Sequence, residues 1–361
     1  MNRWTTSLTS SEPGILVVGL GATTPLGRSA WASAAAVRAG IAGVDSHPYM
    51  VDAVGLPMKV AAFPWVEENR SVDQRIADAL VGALRETLAS VLDASRRLPI
   101  ALFVNLPPSR PGLPDEFSRR VVARLQDSFA SVFDSMRVAS LGHAGGLVAL
   151  QAAADTIASS PDTLCIVAGA DSYLDPDVLE WLEETDQLHS AGERNNAWGF
   201  IPGEGAGAVL LASPQALQRL PLKPLGRIRG IGVGRETELI GTGTVCTGLG
   251  LTEAIRAATS PMRDGERLTD VYCDMNGEPY RADEFAFLVT RIRERFVAAS
   301  DFVAPADCWG DVGAASAPLL IMLACVAGVK GYARGDAALV WASSANGERA
   351  AAVIQTAAQP R

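Results

Sequence analysis

The sequence predicts an α/β protein. Strand and helix patterns alternate along it, the strands are short and almost wholly apolar, and the alternation runs twice, on either side of a proline-flanked connection at Pro221-Leu-Lys-Pro224. An unbroken apolar run reads as a strand covered on both faces, and intervening helical patterns supply the cover through right-handed crossovers.

The first such run, 15–18, is Ile-Leu-Val-Val. Helical patterns follow at 28–39 and 72–92, a strand at 100–103, and then Pro107, Pro108, Pro111 and Pro114 in one loop, expected over or beside a pocket. A helix is predicted over 115–133, a strand of alternating small and apolar residues over 136–141, a helix over 147–158, a strand over 164–168, a helix over 177–184 and a strand over 206–211. The second half predicts strands at 226–233, 270–273, 337–341 and 350–355, with helices at 252–258, 282–297 and 318–327. The boundary gives halves 1–220 and 221–361 of one compact unit, and 361 residues at 48% hydrophobic suffice for a large core.

Composition excludes several classes. A net charge of −9 gives no electrostatic reason to bind nucleic acid or an anionic membrane. The longest apolar stretch, 317–329, falls short of the roughly 20 residues a bilayer requires and reads as a buried helix. Residues 1–12 are polar and lack a signal sequence, so a cytoplasmic location is expected. Five cysteines, none at Cys-x-x-Cys spacing, argue against a disulfide framework or zinc site, and no metal or cofactor is expected. Cys165 and Cys325 read as core residues. Cys246, between Gly243 and Gly248, reads either as another buried thiol or as a reactive one exposed on a turn.

Several segments together resemble the β-ketoacyl synthases of the thiolase superfamily. They are Ile15-Leu-Val-Val-Gly19-Leu-Gly21-Ala-Thr-Thr-Pro25-Leu-Gly27, Leu164-Cys-Ile-Val-Ala-Gly169-Ala-Asp171 and, most specifically, Gly203-Glu204-Gly205-Ala206-Gly207. The resemblance implies a five-layer α-β-α-β-α sandwich with pseudo-twofold related halves. Within that frame the family carries a cysteine and two histidines. Here His143 fills the cysteine's place in Gly142-His143-Ala144-Gly145-Gly146, Asn276 the first histidine's in Asp274-Met275-Asn276-Gly277, and Asp311 the second's in Gly310-Asp311-Val312-Gly313-Ala314-Ala315. The family's lysine is replaced by Ala306, and its glycine-rich C-terminal loop by Ser343-Ser344-Ala345-Asn346-Gly347-Glu348.

Condensation needs a thiolate to hold the acyl group and two imidazoles to stabilise an enolate. An imidazole at 143 holds no thioester, and an anionic Asp311 repels a developing enolate. No catalytic residue is therefore expected, and His143, Glu204, Cys246, Asn276 and Asp311 are the candidates for a vestigial pocket. Each also has a structural reading. His143 is a helix cap or an internal hydrogen-bond partner, Asn276-Gly277 a turn pair, Asp311 an N-terminal cap, and Glu204 an acceptor for buried donors beside its glycines.

Two function classes follow. In the first the chain is a non-catalytic adaptor, assembly or pairing subunit. Its partner would be a second copy across the strand at 136–141, a ketosynthase-type subunit, or a secretion component, since degenerate thiolase-like proteins also occur among type VI effector-loading factors. In the second it is an acyl-transferring or hydrolytic enzyme with His143 as base or Cys246 as nucleophile. The acidic surface is a poor dock for an acidic acyl carrier protein unless Arg119, Arg120 and Arg124 form a local basic patch.

Overall fold

A computed structural model describes residues 14–67, 69–92, 98–189, 196–239 and 243–356. Nine strands form one sheet in the order β5-β4-β6-β7-β1-β8-β11-β10-β9. They are β1 (Ile15–Thr23), β4 (Ile100–Asn105), β5 (Ser135–Ala139), β6 (Leu164–Ser172), β7 (Glu204–Ala212), β8 (Gly226–Arg235), β9 (Asp270–Cys273), β10 (Ala337–Ser343) and β11 (Glu348–Thr356).

One pairing scheme runs through both halves. In the first, β5, β4 and β6 are parallel, and β7 and β1 follow antiparallel. In the second, β9 and β10 are parallel, and β11 and β8 follow antiparallel. The halves join where β1 meets β8, at Ile15↔Ile228 and Val17↔Gly226. Within this scheme β5 has no counterpart in the second half.

The helices take matching positions. The long ones are α1 (Ala30–Arg38), α2 (Val72–Leu92), α3 (Phe117–Ser128), α4 (Gly145–Ser159), α5 (Pro176–Glu184), α7 (Leu249–Thr259), α8 (Pro279–Ile292) and α10 (Ser316–Val329), with single turns α6 (Pro214–Leu217) and α9 (Ala306–Trp309). Strand pleating sends alternate side chains to opposite faces. In β6, Cys165 and Val167 join a central core with α4 and α10, whereas Leu164 and Ile166 join an outer core with α2 and α3. In β10, Val340 faces the same central core, and Leu339 and Trp341 face a second outer core with α7 and α8. Two sheet halves with helices between them and outside both make the five layers.

The central layer dictates its own composition. Residues 316–328 of α10 are all buried, so this helix is apolar on every side instead of carrying one stripe. Its approach to α4 is close enough that a Cβ at Gly146 would lie 2.8 Å from the Ala317 Cβ.

The two sheet edges differ. At β9 a following segment covers the outer backbone: Val303 N–H donates to Val271 O at 2.8 Å, Cys273 N–H to Val303 O at 3.1 Å and Val297 N–H to Leu268 O at 2.9 Å. At β5, which pairs with β4 alone, most residues are exposed or half-exposed, Val138 by 40%. A separate hairpin of β2 (Asp45–Val51) and β3 (Pro57–Val60) was not predicted from sequence.

Candidate functional site

The site forms where α4 and the turn before α10 meet beneath the ends of β4, β6 and β10. Asn105, the last residue of β4, organises it. Its amide donates to Gly142 O at 2.7 Å and to Ala314 O at 3.0 Å, and its carbonyl oxygen accepts from Leu141 N–H at 3.2 Å. One buried side chain thus ties both turns together. The glycines of 142–146 follow from this crowding. Gly142 sits at φ +68, and a Cβ at Gly145 would lie 2.1 Å from Asn105 Oδ1. Gly313, at φ +45, faces Asp171 Oδ2 in the same way, with 2.0 Å to a built Cβ.

His143, Asn276 and Asp311 converge. Asp311 lies 2.8 and 2.9 Å from His143 Nε2 through its two oxygens, accepts from Asn276 Nδ2 at 2.5 Å and from Gly313 N–H at 2.7 Å. An ionised carboxylate only accepts, so His143 Nε2 carries the proton between them. Asp311 takes the Gly313 N–H at the head of the 3-10 turn Gly313–Ala315, but the N-cap position is Val312, so Asp311 is not the N-terminal cap that its simpler reading expects. Asn276 similarly closes its own turn by accepting from Glu278 N–H at 3.0 Å.

Behind these three lies an ionic layer that the sequence did not disclose. Arg281, 1% exposed, donates to Asp274 at 2.5 Å, to Glu278 at 3.2 Å and to Ser343 O at 2.7 Å, with its Nη2 3.3 Å from His143 Nε2. Burial opposes ionisation of Asp311, but the charge and hydrogen bond of His143, then Arg281 and the Gly313 N–H, outweigh it and hold the carboxyl well below its usual range. Asp274 moves the other way. Burial dominates Arg281 and His143 there and raises its carboxyl, whose Oδ1 has no partner. The nearest sequence signal for this layer was the Glu278…Arg281 spacing at the start of α8, which reads equally well as an exposed i,i+3 pair.

A cavity of about 400 Å³ opens beside these groups, walled by Arg110, Tyr173, Phe200, Tyr280 and Ser344 among others. The proline-rich loop does border it, through Pro108 and Pro111. Ser344 receives the Ala144 N–H at 2.9 Å, so the first turn of α4 is capped by a side chain from after β10, and His143 does not cap it.

Glu204 and Cys246 lie apart from this cavity. Glu204, fully buried, accepts from Phe63 N–H at 2.6 Å, Arg75 at 2.5 and 2.8 Å and the Ser172 hydroxyl at 3.0 Å. It serves buried donors, as its simpler reading expected. Cys246 is buried against Glu284 at 3.2 Å, and burial, with the Glu284 charge and hydrogen bond adding to it, pushes its thiol up to about 12 despite a lowering contact from Gly248. Glu236, Cys246 and Glu284 do bring ligand-type atoms within 4.8 Å of one another, but Arg349 occupies both Glu284 oxygens. The three arginines on α3 are likewise each matched by an acid: Arg119 by Glu116, Arg120 by Asp73 and Arg124 by Asp78.

Residues 138–216 match the model of the family described as Beta-ketoacyl synthase, N-terminal domain. No curated protein sequence matches the chain. Among solved structures, the ketosynthase from module 6 of the bacillaene synthase of Bacillus subtilis 168 superposes with a TM-score of 0.77 at 14% identity, over 95% of this chain and 72% of that one. A type II ketosynthase, solved with its acyl carrier protein and bound to a hexaketide, gives 0.76 at 14%, over 96% and 100%. The ishigamide ketosynthase/chain length factor gives 0.76 at 16%, over 96% and 100%. No described helix is long and apolar enough to cross a membrane. The twice-used strand scheme and the five layers are thus the fold of these ketosynthase structures, and residues 138–216 are the part of the chain that resembles the β-ketoacyl synthase N-terminal domain in sequence.

Proposed function

We propose that this chain is a condensation-incompetent member of the thiolase superfamily that works as a pairing or adaptor subunit. One observation carries the reading: the residue ahead of α4 is an imidazole tied to a carboxylate, and no cysteine lines the cavity beside it. A thioester needs a thiolate, and an enolate needs neutral or cationic donors; Asp311 is neither. That one relative was solved as a ketosynthase/chain length factor and another with a carrier protein supports a role in an assembly. The partner would be a second copy, a ketosynthase-type subunit or a secretion effector.

Incubation with acetyl- and malonyl-thioesters should leave the intact mass unchanged and release no carbon dioxide. An acyl adduct would overturn the proposal, and steady release of free acid without an adduct would assign a hydrolase with His143 as base.

For the pairing itself, the open backbone of β5 suits a second copy across a twofold axis, which would hide an edge otherwise prone to unspecific pairing. Sedimentation equilibrium of the purified chain should report twice its 37.8 kDa mass. Val138→Lys, which places like charges on both sides of that contact, should return the monomer mass. A monomer already in the unmodified chain would exclude the homodimer and point to a heteromeric partner.

A further inference from the structure

The ion pairs around the cavity leave two groups over. Tyr173, 6% exposed, and Tyr280, 9% exposed, both line it, and among the described residues neither hydroxyl has a hydrogen-bond partner. Neither oxygen is among the sequestered unpaired atoms, so both hydroxyls reach the open space of the cavity and can donate to a molecule held there.

The charges define what would complete it. Arg110 lies over the Tyr173 ring at 4.1 Å from its centroid and is matched by Asp171 at 2.6 Å. Arg281 lies over the Tyr280 ring at 5.0 Å and is matched by Asp274 and Glu278. Asp311 is matched by His143. Two arginines thus face four carboxylates, Asp171, Asp274, Glu278 and Asp311, which disfavours an anionic ligand, while each carboxylate already has a donor from the protein and none is left free to pair a cationic one. Burial, the leading cause for each phenol, keeps both protonated, so they are donors that call for acceptors. Phe200, edge-on to Tyr173 at 5.5 Å between centroids, adds an aromatic surface.

We propose that this cavity binds an uncharged, flat carbonyl compound without covalent attachment, its ring against Tyr173 and Phe200 and its carbonyl oxygen accepting from the hydroxyls of Tyr173 and Tyr280. A volume of about 400 Å³ is at the lower end of small-molecule sites and fits a two-ring molecule.

The test uses 1-acetonaphthone, read by calorimetry on the full chain, against 1-ethylnaphthalene, which lacks the acceptor, and 1-naphthoate, which is charged. The ketone should bind about tenfold more tightly than either, and the Tyr173→Phe, Tyr280→Phe double variant should lose about tenfold toward the ketone alone. Equal binding of ketone and hydrocarbon, preference for the naphthoate, an unaffected double variant, or no binding at millimolar ketone would each overturn the site. The comparison of the three probes needs only the unmodified protein, so it stands even if the double variant does not fold. A naphthoyl-pantetheine thioester as a fourth probe separates the sources of the carbonyl: tighter binding than the ketone assigns a carrier-borne group, equal binding a free one. Since 1-acetonaphthone is no acyl donor, the outcome is independent of whether the chain condenses thioesters.

Discussion

Asp311→Ala should destabilise the chain by about 3–5 kcal/mol, the cost of removing one partner from a buried charge cluster. The carboxylate is 3% exposed, and its loss strands three donors at once: His143 Nε2, Asn276 Nδ2 and the Gly313 N–H. It also removes an anion that stabilises Arg281. Asp311→Asn keeps an acceptor for Gly313 and should cost less, about 1–3 kcal/mol. Urea unfolding of the three proteins measures this. A loss below about 1 kcal/mol for the alanine variant, the ordinary effect of any substitution, would mean the cluster is not coupled as drawn.

The same carboxylate sets a pH dependence. Its folded-state pKa is depressed, so its contribution is complete above the ordinary aspartate value near 4 and is lost as pH falls below it, because the unfolded chain takes up the proton first. Asp274, raised by burial, acts in the opposite sense and gains from acid. The difference between the parent and Asp311→Asn isolates the first term. Their stability gap should therefore narrow as pH drops from about 5 toward 2, and a gap independent of pH over that range would contradict an ionised Asp311.

Glu284→Ala should be comparably damaging, by about 3–5 kcal/mol. Glu284 is fully buried and Arg349 1% exposed. The pair shares two contacts, one of them 2.7 Å from Nε to Oε2. Cys246 and the Ser343 hydroxyl also lose their acceptor. The double replacement Glu284→Leu, Arg349→Met removes both charges and should recover most of the loss, although Ser344 O then lacks its 2.6 Å donor from Arg349. Ser344 caps the first turn of α4, so faster hydrogen exchange at the Ala144 amide should accompany the variants. If the double variant is no better than the single, shape and not charge decides this site.

The fold was largely legible because burial on two faces writes unbroken apolar runs into the strands. The helix 72–92 and the strand 270–273 have the bounds the pattern predicts, and α10 announced itself by lacking any polar side. The hairpin β2–β3 escaped because Pro48, Gly55 and Pro57 read as loop. Its turn is held by a side chain instead of a hydrophobic alternation, with Asp52 Oδ1 accepting from Val54 and Leu56 N–H at 3.1 and 2.8 Å. Helix 282–297 was placed late because Pro279 opens α8 three residues earlier and a 3-10 turn at Arg293–Arg295 ends it. At the site, motif register alone was enough to bring His143, Asn276 and Asp311 together. Glu204 and Cys246 were grouped with them on glycine-rich context, which marks close packing and not a shared cavity. Arg110, Asp171, Tyr173, Asp274, Tyr280 and Arg281 went unseen. Charge pairing between residues 61 or 7 positions apart, as in Arg110–Asp171 and Arg281–Asp274, has no signature along a single chain.

The covered edge at β9 bears on how large an assembly sheet pairing can build. A sheet open at both ends can add copies indefinitely, end to end, and grow into a ribbon. Here the segment 296–303 already occupies the second half's terminal backbone, so among the described residues main-chain pairing of the nine-stranded sheet can continue from β5 and not from β9. If copies join through β5 as proposed, a molecule with one free end takes a single neighbour and then stops, so growth by strand addition would end at two subunits.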